Sequence, residues 1–411
     1  EPYDLAAQIL LTAFSAVGDE TVLSGLEKYL SPEHQPACYA FIDEWNASAE
    51  QEKLFEIADD ITERMRLTER LEKVDTAILM QSDSLPCIDA VIIERFLQEI
   101  AENVIKTEEI LKVTESRRTS KWYNRYAYLY DGLYYIAKMQ EFHYAHITGF
   151  HFGTEKELWD SYCKELYWMD TYYRRLHMDF RKSLFNTLGT LDDLFKSAVV
   201  TAEHLYQNWY LSELNGSWNS LIKESVADGF SQNGILQQDD FYRRVVQPIA
   251  RESRVFVIIS DALRYEVATE LTEKLLRETN GTAKQSAMQS VFPSITKFGM
   301  AALLPHKALT ITDSMKMFCD EMPTDGTENR DKILKKTNPK NCAVTYETLL
   351  TMKQAQRREL VSGADVVYIY HNTIDAVGDK ANTEHQVFEA CADALEELKN
   401  LVRLIVNSMI G

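Results

Sequence analysis

The sequence predicts an α-helical N-terminal region followed by an α/β domain built on a mostly parallel sheet that is incomplete within the chain. Three observations predict it. Residues 1–245 carry apolar side chains at helical spacing and no alternating strand pattern. After Pro248 the texture changes to strand-length apolar runs separated by helical patterns. Those apolar runs end in carboxylates, where the ligands of an open α/β sheet bind.

In the first region, the spacing of Leu54, Ile57, Ala58 and Ile61, and again of Val104, Ile105, Ile110 and Leu111, predicts amphipathic helices. Breakers are few. Pro32 and Pro36 end one segment and residues 84–86 another. The region is one helical domain or two subdomains meeting near 83–86 or 117–121. Residues 122–180 are rich in Tyr and Trp. Helix packing with phenol tips at the rim explains them better than a base-stacking platform, because the basic residues between them are few. His143, His146 and His151 match no metal-ligand spacing and read as structural histidines.

The second region, 250–411, opens on Arg254-Val-Phe-Val-Ile-Ile-Ser260, an apolar run suited to a strand buried on both faces. A helix over 265–279 is expected next, then a strand near 283–291 and a short helix after Pro293. Further strands are expected at 341–346 and 365–370, and a long amphipathic helix over 384–409. Residues 312–340 read either as an insertion over the site or as a solvated loop.

The bulk numbers exclude some functions. Lys and Arg total 44 against 63 Asp and Glu, a formal net charge of −19. Such a surface repels phosphate backbones, so strong direct nucleic-acid binding is not expected. Six scattered cysteines with no CxxC pair fit reduced thiols and a cytoplasmic setting. The first residues lack the basic flank of a signal peptide. No apolar run reaches the roughly 18 residues of a spanning helix, so no membrane partner is expected. The chain begins without Met and stops directly after a helical pattern, and both ends are expected to be boundaries inside a larger protein.

Chemistry concentrates at three places. The first strand runs into Asp261, which on its own could be only a helix cap. Phe292-Pro-Ser-Ile-Thr-Lys297 brings Ser294 and Thr296 to a helix start, where the field favours an anion. The strand at 366–370 runs into His371-Asn-Thr-Ile-Asp-Ala-Val-Gly-Asp379. There Asp375 and Asp379, four apart around a Gly, can converge on one cation.

In this order the three motifs resemble the alkaline phosphatase superfamily, and within it the PglZ domain of bacteriophage-exclusion (BREX) defence systems, the type 1 systems nearest. The resemblance spans roughly 250–411. It implies a metal-dependent phosphatase or phosphodiesterase with two divalent ions, zinc first and manganese or magnesium as alternatives. Asp261 matches a first-strand metal ligand. Thr296 matches the nucleophile, which also touches that metal, with Ser294 as fallback. Asp375 matches a ligand of the second metal. Asp379 stands where most superfamily members have His, which makes the site richer in oxygen. His371 is expected behind the ligands, and Arg264 either on phosphate or in a surface salt bridge.

The implied reaction is in-line attack by the threonine hydroxyl, followed by hydrolysis of the phosphothreonine. The superfamily's remaining ligands would follow the helix over 384–409. His385, on that helix, is not expected to replace them, so the chain alone is expected to hold metal weakly and to be inactive. Implied partners are a phosphoester substrate and other BREX proteins such as the system's DNA methyltransferase. The competing reading is a non-catalytic scaffold for those proteins.

Overall fold

The computed structural model describes residues 2–15, 22–185, 188–223 and 234–410. The chain divides into two compact units. One comprises Glu1–Gly149 with Tyr172–Ser212, the other Phe150–Thr171 with Glu213–Gly411. The described residues of 1–245 form helices, turns and a single bridge at Gln237. Residues 16–21 and 224–233, also read as helical, lie outside the described residues. The helix-bearing segments 150–171, 213–223 and 234–250 cluster with the sheet. Helical periodicity shows that a face is apolar, not which core it meets.

The first unit is helical. Pro86 opens the helix Pro86–Ala101, where its missing N–H costs nothing. Ile88, Val91, Ile92, Phe96 and Ile100 bury that helix's inner face. Asn103 then turns left-handed (φ 62°), and the Val104 N–H closes on the Glu99 carbonyl at 2.8 Å. Val104 and Ile105 therefore lie in the turn before the helix Thr107–Arg117, not on one stripe with Ile110.

The two segments read as a subdomain junction meet each other inside this unit. Lys121 donates to the Asp83 carboxylate from its backbone at 3.2 Å and from Nζ at 3.1 Å. Trp122 Nε1 donates to the Asp83 carbonyl at 2.8 Å. The aromatics here pack as expected. Trp122 and Tyr130 are buried, and the Tyr130 hydroxyl donates to Asp89 at 2.5 Å.

The described residues of the second unit form six strands: β1 (Val255–Ser260), β2 (Leu309–Ile311), β3 (Met317–Cys319), β4 (Met322–Pro323), β5 (Cys342–Thr345) and β6 (Val366–His371). β1, β6 and β5 form a parallel sheet in that order. β2, β3 and β4 form an antiparallel meander. β6 is central and all six of its residues are buried. Val366, Tyr368 and Tyr370 enter one core with Phe298, Met317 and Leu334. Val367 and Ile369 enter another with Leu401 and Ile405. This is the two-faced burial expected of a parallel strand.

The expected strand at 283–291 does not form. Its backbone pairs by one bridge, Gln237↔Gln289, and the Gln285 amide reaches back to Thr269 Oγ1 at 2.9 Å. Residues 236–238 take its hydrogen bonds in place of the sheet. Residues 312–340 are not a solvated loop: Met317, Cys319, Ile333 and Leu334 from that stretch are buried in the sheet's core. The helix expected over 384–409 starts at Val387, so His385 sits in the short turn Glu384–Gln386 before it. Among the described residues, no helix is long and apolar enough to cross a membrane.

Candidate functional site

The parallel register sets the site. Ser260 pairs with His371, so β1 and β6 end level, and the Asp261 N–H donates to the His371 carbonyl at 2.9 Å. Ala262 follows in the left-handed region (φ 60°), strained for a residue with a Cβ, and its N–H donates to Asp261 Oδ1 at 3.0 Å. Beyond β6 the helix Thr373–Gly378 carries Asp375 in its first turn. The helix Thr296–Ala302 starts at Thr296. Asp261, Ser294, Thr296 and Asp375 line one cavity of about 630 Å³.

Burial, and then the like charge of Asp375, push the Asp261 carboxyl above the ordinary carboxylate range. The Ala262 N–H, the charge of Arg330 and the Thr296 hydroxyl oppose that shift. Arg330 is the participant that the sequence reading missed. It rises from the helix Gly326–Lys335, its Nε donates to the Thr324 carbonyl at 3.0 Å, and its guanidinium lies 4.7 Å from the Tyr370 ring centre. Its only signal in the sequence was that residues 312–340 might reach the site.

His371 is buried. Its Nδ1 meets Ser260 Oγ at 2.9 Å and its Nε2 meets Glu397 Oε2 at 2.8 Å. Asp379 follows the same helix as Asp375, its N–H donating to the Asp375 carbonyl at 2.9 Å, and it is not among the residues lining the cavity. Arg264 pairs with the buried carboxylate of Asp170 at 3.0 Å.

Asp261, Asp375 and Thr296 offer hard oxygen donors. Burial, and then the like charge of Asp375, raise the Asp261 pKa, and a cation would offset both. The residues fit a divalent ion in kind. They are fewer than the roughly four to six donors such ions take. Among the described residues, no group of three or more His, Cys, Asp or Glu side chains could hold a metal ion.

The parallel strand ending in Asp, the hydroxyl at a helix start and the second strand with Asp beyond it all fall in a stretch that matches an alkaline phosphatase-like domain. Residues 241–411 match the PglZ family, described as the BREX system PglZ alkaline phosphatase-like domain. The chain is 34% identical over 422 residues to the alkaline phosphatase-like protein BrxZ of Escherichia coli, covering 99% of this chain and 48% of the relative. It is 32% identical over 365 residues to the alkaline phosphatase-like protein PglZ of Bacillus cereus, covering 89% of this chain and 42% of the relative. The chain thus spans less than half the length of these curated relatives. No solved structure matches it.

Proposed function

We propose that this chain carries the nucleophile and part of the metal-binding set of a metal-dependent phosphoester hydrolase, a phosphatase or phosphodiesterase, of a BREX defence system. The observation that carries the reading is the convergence of Asp261, Thr296 and Asp375 in one cavity at the ends of β1 and the helix-bearing end of β6. Asp261 and Asp375 would hold divalent ions, zinc first, with Asp379 as a further candidate. Bound there, such an ion lowers the proton affinity of a hydroxyl and neutralises charge on a leaving oxygen.

The protein's own groups do the rest. Thr296 Oγ attacks phosphorus in line. The new Oγ–P bond forms as the P–O bond to the leaving group breaks; that oxygen departs with the bonding pair and takes up, through solvent, the proton that the Thr296 hydroxyl gives up. Water then cleaves the phosphothreonine in a second displacement. Arg330 adds positive charge beside Asp261, where phosphoryl charge would gather.

Acid-quenching the full-length protein during turnover of bis(p-nitrophenyl) phosphate, then mapping the phosphate by mass spectrometry, tests the assignment. Phosphate on Thr296 supports it. Phosphate on Ser294 moves the nucleophile two residues and overturns it.

A further inference from the structure

A second cavity, of about 460 Å³, adjoins the candidate site within the same unit. Leu263 and Met288 line both cavities and form their common wall. Leu263 comes two residues after Asp261, which places its Cα within about 7 Å of that carboxylate's Cα. The two cavities differ sharply in chemistry. The first holds carboxylates and hydroxyls. No charged side chain is among the residues lining the second, whose walls are mainly aromatic and aliphatic.

The aromatic walls are held in place by local structure. Trp159 stands on the helix Glu155–Ser161, which Thr154 caps by accepting the Glu157 N–H. Trp218 stands on the helix Ser212–Ile222, and the two indole rings lie 6.3 Å apart at 41°. Tyr162 and Tyr265 pack 5.8 Å apart. Their hydroxyls are spent on the protein: Tyr162 donates to Asp170 at 2.7 Å and Tyr265 to the Cys163 carbonyl at 3.0 Å. Beside Asn215, Ser286 and Cys163, the lining is ring and aliphatic side chain. Its volume falls in the range of small-molecule sites, and an uncharged aromatic box favours a flat apolar group over the phosphate itself.

We propose that this cavity is the subsite for the organic part of the substrate, and that the substrate is a phosphoester bearing a flat aromatic group. The phosphoryl group would lie at Asp261 and Thr296, and the aromatic group against Trp159 and Trp218. This rests on the hydrolase reading for the position of the phosphoryl group. Aromatic stacking of this kind is tolerant of the ring's identity. A nucleobase and an aryl side chain are therefore two sources of one chemistry.

The test is equilibrium binding to the full-length protein, followed by tryptophan quenching and calorimetry, of phenylphosphonate and methylphosphonate. The two share one acid group and neither is hydrolysed. Phenylphosphonate should bind about tenfold tighter. Trp218→Ala and the cavity-filling Ala268→Trp should each bring the two ligands to within about twofold, while Trp218→Phe keeps the preference. Melting curves establish that each variant is folded. Equal binding by the unaltered protein overturns the proposal, as does a preference that survives both Trp218→Ala and Ala268→Trp.

Two further pairs identify the source. Thymidine 5′-phosphate preferred over ribose 5-phosphate indicates a nucleobase, and phosphotyrosine preferred over phosphoserine indicates an aryl group. Failure of both pairs overturns the proposal. Aromatic preference in a protein that hydrolyses no phosphoester under any divalent metal removes the hydrolase reading and leaves the pocket standing.

Discussion

The His371 imidazole meets the Glu397 carboxylate at 2.8 Å, which ties the end of the central strand to the helix Val387–Ser408. Thr373 Oγ1 donates to the same Glu397 oxygen at 2.5 Å, and Ser260 Oγ meets the other ring nitrogen at 2.9 Å. One buried ring therefore joins β1, β6 and that helix, and the carbonyl of the same residue accepts the Asp261 N–H. Glu397→Ala leaves His371 and Thr373 without this acceptor and should cost about 1–3 kcal/mol. His371→Ala should cost at least as much, because it also opens a cavity. Denaturant unfolding measures both. A midpoint unchanged in both variants would show that the bracket contributes nothing to stability.

Arg330 reaches the site from the helix Gly326–Lys335, across the ring of Tyr370. If it stabilises phosphoryl charge, Arg330→Ala lowers kcat/KM for a phosphodiester by about 10²-fold. Arg330→Lys should recover part of that loss, since it keeps the charge but not the planar fork. Steady-state kinetics on the full-length protein decide it. An unaltered kcat/KM in Arg330→Ala would confine this arginine to packing on Tyr370.

Asp179 makes the first unit sensitive to pH. Burial raises its carboxyl to about 6, with Lys182, which donates at 2.6 Å, opposing the shift. The folded protein then holds this proton more tightly than the unfolded chain, whose Asp titrates near pH 4. Its contribution to stability is lost as pH rises from about 4 to about 6, and the loss is complete above that. Asp179→Asn should therefore stabilise at pH 7–8, by up to about 3 kcal/mol, and have little effect near pH 4. Urea unfolding at the two pH values shows the difference. An equal effect at both would refute the linkage.

Gly132, in the helix Tyr123–Ala145, lies against the buried ring of Phe195. A Cβ there would fall well inside van der Waals contact with the ring. Helix propensity alone favours Ala over Gly by about 1 kcal/mol. The clash should reverse that sign, so Gly132→Ala destabilises by about 1–3 kcal/mol. A stabilised Gly132→Ala protein would mean that Phe195 moves aside freely.

Much of the sheet was legible in the sequence, because β1 and β6 are continuous apolar runs, β1 leading directly into Asp261 and β6 into the short helix that carries Asp375. The register Ser260↔His371 then brings Asp261 and Asp375 to one cavity. What could not be read depends on distant partners. The stretch 283–291 has strand-like composition, but its hydrogen bonds go to residues 236–238. Arg330 belongs to a segment whose path back to β6 leaves no local signature. Trp159 was read as packing, and nothing local pairs it with Trp218 in the lining of one cavity. The assignment of 150–171, 213–223 and 234–250 to the sheet unit is equally a matter of which core each helix meets.

The most direct test of the central claim is bis(p-nitrophenyl) phosphate hydrolysis by a protein spanning the whole length of the relatives. The unaltered protein and Thr296→Ala would be compared after metal stripping and reloading with zinc, manganese or magnesium. The account predicts turnover that requires one of these ions and falls at least about 10³-fold in Thr296→Ala. Metal-dependent turnover that survives Thr296→Ala would contradict it.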